Sequence, residues 1–81
     1  MIMELLHWSY SKKYNIVARF HPFSHSKVIF RQIKDYYFIY TIYWSSEDPV
    51  VVRKDLETME ILLNRELGTE QAYFNRLAYN H

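Results

Sequence analysis

Four histidines and nine carboxylates are the side chains of this 81-residue chain that could do chemistry. His21 and His25 stand four apart, a spacing that brings two imidazoles together on one helix face, as in half a zinc site. Pro22 lies between them, however, and drives His21 out of helical space. His7 and His81 are distant in sequence, and there is no cysteine. Zinc requires three or four ligands in tetrahedral array, so these residues read as loop histidines and no metal is expected. Asp55, Glu57, Glu60 and Glu66 crowd one short region. Their spacing reads as a solvated helix face, with Asp55 and Glu57 favouring the positive helix start. A catalytic carboxylate pair would need a pocket for which so small a domain has little room. No glycine-rich phosphate loop, G-x-S-x-G or H-E-x-x-H occurs, and a single glycine offers few close backbone approaches to a phosphate. The expectation is a protein that is not an enzyme and needs no cofactor.

The aromatic residues are the stronger signal. Between Asp35 and Trp44 the chain reads DYYFIYTIYW. On a strand, alternate side chains point to opposite faces. Tyr36, Phe38, Tyr40, Ile42 and Trp44 then share one face, and Tyr37, Ile39, Thr41 and Tyr43 the other. The face with Phe38, Ile42 and Trp44 is the more apolar and is expected to meet the core. Tyr37, Thr41 and Tyr43 are then the candidate protein-binding residues on the open face, the tyrosines acting as rigid amphipathic anchors. Exposed sheet aromatics can also stack on the bases of a single strand, with Arg19, Lys27 and Arg31 supplying charge. The glycine-containing signature of RNA-recognition strands is missing.

The C-terminal segment Leu62 to Asn80, LLNRELGTEQAYFNRLAYN, resembles the helix-turn-helix of DNA-binding regulators. Leu67-Gly68 matches the apolar residue and glycine of the turn, and Phe74 and Leu77 match buried positions of the second helix. Asn64 departs from the pattern by standing where a small residue usually packs. The resemblance implies that Gln71, Asn75 and Arg76 would reach bases or phosphates. Glu70 would then face phosphates as well, and an ordinary helical hairpin packed on a sheet explains the same residues.

The elements that must position these side chains follow from periodicity and punctuation. Ile2–Trp8 is expected as a short strand, and the alternation Tyr14, Ile16, Ala18, Phe20 marks a second strand through His21. Residues 21–26 are expected as a loop around Pro22. Lys27–Ile33 and Tyr36–Trp44 are the third and fourth strands, joined by a two-residue turn at Lys34-Asp35. With that turn Ile29, Arg31 and Ile33 share a face with Phe38, Tyr40 and Ile42; a three-residue turn would put Val28 and Phe30 there. Val50–Val52 fits either a short strand or the start of a helix behind Pro49. Leu56, Met59, Leu63 and Leu67 form a helical stripe with Leu62 beside it. Gly68 fits a left-handed helix end, and Thr69 an N-cap for a second helix with Tyr73, Phe74, Leu77 and Ala78 on its apolar side.

Together these features predict one α+β domain over residues 1–81. A three- to four-stranded antiparallel meander (about residues 2–45) precedes two helices (about 54–79) packed on one face. Ten Lys and Arg against nine Asp and Glu leave a net charge of +1, with no strong overall footprint for nucleic acid or membrane. The N-terminal sequence is a poor signal peptide and the longest apolar run is far too short to span a bilayer, so no membrane partner and a cytoplasmic location are expected. The functional expectation is a small interaction module, regulatory or inhibitory, that binds another protein through an aromatic sheet face. Self-association as a homodimer is a further expectation, since the small cysteine-free core leaves excess aromatic area. The alternative is a DNA-binding regulator using the helix pair.

Overall fold

The computed structural model describes residues 2–12 and 15–76. Strands β1 (Glu4–Tyr10), β2 (Ile16–His21), β3 (Phe23–Ile33) and β4 (Tyr36–Tyr43) form one antiparallel sheet in the order β1-β2-β3-β4. Helices α1 (Arg53–Leu67) and α2 (Glu70–Asn75) follow. This is the α+β meander that the alternating and helical periodicities predict. Tyr14, expected to open β2, lies outside the described residues. So do Leu77, Ala78 and the rest of the expected second helix, and His81.

Two strand expectations need correction. Residues 21–26 are not a loop: Phe20 pairs with Phe23, so His21 and Pro22, joined by a cis peptide, form the entire turn. Phe23 and Ser26 are buried, and placing them inward draws residues 23–26 into the sheet. The second correction concerns β4. Lys34-Asp35 is a two-residue turn as expected, with Lys34 at φ 51° taking the left-handed conformation that Gly or Asn more often supplies. Ile33 faces Tyr36, Arg31 faces Phe38 and Phe30 faces Ile39. The next pair is Ile29 with Thr41, which leaves Tyr40 as an extra residue. Such a bulge sets two residues of one strand against one of its neighbour. Tyr37, Ile39 and Ile42 therefore join Val28 and Phe30 on the core side. Phe38, expected in the core, stands opposite Arg31 on the other face and is half-buried.

The core is built from Ile16, Ala18 and Phe20 of β2, Phe23, Val28 and Phe30 of β3, and Met59 and Leu63 of α1. Met3, Leu5 and Trp8 close it from the β1 side, and Leu56, Leu62 and Leu67 from the helix. Fully burying a large apolar side chain contributes about 1.5–3 kcal/mol, so the stripe on α1 holds the helix against the sheet. Residues 49–52 are neither strand nor helix. Val52 precedes α1 without a side-chain acceptor, and Asp55 supplies the cap by accepting the Val52 N–H at 3.0 Å. Gly68 ends α1 at φ 78°, the expected left-handed residue.

The helix also covers the outer edge of β4. The Tyr37 N–H donates to Asn64 Oδ1 at 2.9 Å, and Asn64 Nδ2 donates to the Tyr37 carbonyl at 2.8 Å. Two residues on, the Ile39 N–H donates to Glu60 Oε2 at 2.8 Å. Side chains thus replace the missing fifth strand along this stretch of the edge, where free backbone groups would otherwise invite another chain.

Candidate functional site

Three polar constellations stand out, and each has a different character. The first is the β4 edge network just described. Asn64 is fully buried, and its Oδ1 also accepts from the Thr69 hydroxyl at 2.8 Å. Glu60 Oε1 accepts from the Tyr73 hydroxyl at 2.7 Å. Burial, and then the Glu60 carboxylate, push the Tyr73 phenol well above its ordinary range, so it stays protonated as a donor. Glu60 is therefore not part of a solvated face, and Thr69, the expected N-cap residue of α2, makes no side-chain cap bond there: its hydroxyl bonds back to the end of α1. Both Asn64 side-chain atoms, both Glu60 oxygens and the Tyr73 hydroxyl bond other protein groups, so its work is structural.

The second constellation brings His25, Ser26 and Asp48 together. Asp48 is buried, with Oδ2 accepting from the Ser26 hydroxyl at 2.5 Å. Its Oδ1 accepts the His25 N–H at 3.3 Å and lies 3.1 Å from His25 Nδ1. Burial would raise the Asp48 carboxyl, but the hydrogen bonds from Ser26 and His25 outweigh it and hold the group below its ordinary value of 3.8. Serine, histidine and aspartate in contact invite comparison with hydrolases. Here, however, the aspartate sits between the other two, whereas nucleophilic catalysis needs the histidine on the serine. Ser26 is wholly buried and its oxygen also accepts the Ser45 N–H at 3.0 Å. The cluster pins the loop after β4 onto β3. Among the described residues, no three His, Asp or Glu side chains gather as a metal site.

The third is the open face of the sheet, which the helices leave uncovered. Val17 and Arg19 of β2 alternate with the buried Ile16, Ala18 and Phe20. Lys27, Ile29 and Arg31 of β3 alternate with the buried Ser26, Val28 and Phe30. Phe38, Thr41 and Tyr43 stand opposite Arg31, Ile29 and Lys27. The Arg31 guanidinium lies over the Tyr40 ring, 3.5 Å from its centroid, which places the bulged tyrosine on this face too. Tyr40 is 52% exposed and Tyr43 65%. A groove of about 540 Å³ lies between Tyr43 and β2, lined by Val17, His25, Lys27, Ile29 and Tyr43.

The sequence-predicted residues divide accordingly. Thr41 and Tyr43 lie on the open face. Tyr37 does not: it is only 8% exposed and faces the core, because the two-residue turn sets it on the side of Phe30 and Ile39, and the bulge at Tyr40 then turns Thr41 and Tyr43 the other way. Gln71 and Asn75 are exposed and hydrogen-bond each other across one turn of α2 at 3.1 Å. Arg76 folds back over the Tyr73 ring and donates to the Tyr73 carbonyl at 2.6 Å. Glu70 is held by Arg65 at 2.6 Å. Arg19, Lys27, Arg31 and Tyr40 are brought together by the fold, and sequence reasoning left them out of the favoured site.

The family described as uncharacterised protein YuzH matches residues 4–78. The chain belongs to the YuzH family. No curated protein and no solved structure matches it. In this YuzH chain the near-neutral net charge conceals a division. Residues 1–44 hold six Lys and Arg against two Asp and Glu, and residues 45–81 hold four against seven. Strands β2, β3 and β4 contain no carboxylate. The strand carboxylate is Glu4, at the outer end of β1 opposite His21. The signal was present in the order of the charges along the chain; only their sum hid it.

Proposed function

We propose that this YuzH-family chain is a non-enzymatic binding module whose contact surface is the open face of its sheet, and that its partner is anionic. The observation that carries this reading is the uncovered β2-β3-β4 face, which holds Arg19, Lys27 and Arg31 beside exposed tyrosines and no carboxylate. Clustered charge of one sign raises the local concentration of an oppositely charged partner and speeds encounter. The tyrosines supply contact area at little conformational cost. The helix pair supports DNA reading less well, since Arg76 and Glu70 are already engaged within the helical layer.

Elution from an immobilised polyanion tests the reading. The pair Lys27→Glu with Arg31→Glu and the pair Arg53→Glu with Lys54→Glu change net charge equally, one on the sheet face and one at the start of α1. The sheet-face pair is expected to elute at clearly lower salt than wild type and the helix pair close to it. Equal shifts for both would mean that only net charge matters, and the reading would fail.

A further inference from the structure

Resting on that reading of the open face, we infer that the partner is a single-stranded nucleic acid, its phosphates meeting Arg19 and Lys27 and its bases stacking on Tyr43 and on the Arg31 guanidinium that lies over Tyr40. The face is laid out in two adjacent lanes. The cations stand on β2 and β3, and the exposed rings stand next to them on β4. Single-strand binders combine these two components: a positive track for the backbone and aromatic platforms for successive bases. Lys27 and Arg31 are four residues apart on one strand, about 13 Å, so the charge is spread along a line and not gathered at a point.

Two details favour a nucleic acid over an acidic protein segment. The Arg31 guanidinium is stacked on Tyr40 and extends the flat surface on which a base can lie. The groove has an apolar floor in Val17 and Ile29, with His25, Lys27 and Tyr43 around it. That suits a planar ring with polar edges better than a carboxylate. The ion pairs among the described residues, His25–Asp48 and Arg65–Glu70, do not include the three cations of the face, of which Arg19 donates to the Ser24 carbonyl at 3.1 Å. A duplex fits poorly, because a flat sheet face offers no helix or ribbon to enter a major groove.

The test is fluorescence anisotropy with the full chain and four labelled probes: an RNA and a DNA single strand of about 12 nucleotides, the matching duplex, and a polyglutamate of equal charge. Both single strands, or the RNA alone, are expected to bind at least about tenfold more tightly than duplex or polyglutamate, with affinity falling steeply between about 50 and 200 mM salt. Tyr43→Ala should weaken single-strand binding by about five- to a hundredfold while its melting temperature stays at the wild-type value. Binding of polyglutamate as tight as that of the single strands, unchanged affinity in Tyr43→Ala, or no single-strand binding at low salt would each overturn the inference. Polyglutamate capture that Lys27→Glu with Arg31→Glu abolishes would leave the open-face reading standing with an acidic protein as partner. Light scattering that shows a second copy seated there, with mass falling in the same variant, would overturn the nucleic acid likewise. Binding by any probe that ignores the sheet-face variants would remove both.

Discussion

The two faces of the sheet treat polar groups in opposite ways. On the covered side, the buried Ser26, Asp48 and Asn64 are all hydrogen-bonded, and no buried side-chain polar atom among the described residues lacks a partner. On the open side, Lys27 and Arg31 are exposed cations outside the ion pairs of the described residues. An unpaired polar group costs little in water and much in a core. The covered polar residues are therefore best explained by fold, and the open ones by what they can meet. Five substitutions would break or sharpen this contrast.

The largest effect is expected from Phe30→Ala, which removes a fully buried ring at the centre of the core and should cost about 3–5 kcal/mol in a urea melt. Phe38→Ala should cost clearly less, because its ring lies half-buried on the other face. If the two were equal, the register that sets Phe38 opposite Arg31, on the face away from Phe30, would be wrong. Asn64→Ala comes next. It strands the Tyr37 N–H and carbonyl at the sheet edge, and a loss of about 2–3 kcal/mol is expected from such unsatisfied groups.

Asp48→Asn should be milder near neutral pH and should change the pH dependence. The Asp48 pKa is lower folded than unfolded, so its contribution is complete well above 3.8 and is lost as the pH falls through the folded value. The melting-temperature gap between wild type and Asp48→Asn should therefore be wide at about pH 6 and close below about pH 4. A gap that widens in acid would contradict the cluster's geometry. The smallest effect on stability, within about 0.5 kcal/mol, is expected for Tyr43→Ala on the open face.

How far these regions were legible in the sequence follows from the kind of signal each carries. The strand order, the stripe on α1 and the role of Gly68 are local patterns, readable from spacing alone. Tyr37 was misplaced because alternation groups it with Thr41 and Tyr43, from which a bulge at Tyr40, unmarked in the sequence, separates it. Asn64 and Glu60 looked like surface or misfit residues, because their partners are backbone groups of β4, more than twenty positions away. The basic face was legible in part. Arg19, Lys27 and Arg31 could be named as the charge for a stacking surface, but they are scattered in sequence, and the pairing of β2 with β3 is what brings them together.

The central claim is that the open face of the sheet, and not the helical layer, does the binding. Amide chemical shifts of the labelled chain, followed as a single-stranded oligonucleotide is added, test it residue by residue. The account predicts the largest changes at Arg19, Lys27, Ile29, Arg31, Tyr40 and Tyr43, with α1 and α2 little affected. Changes centred on Gln71, Asn75 and Arg76, with the sheet face silent, would contradict it.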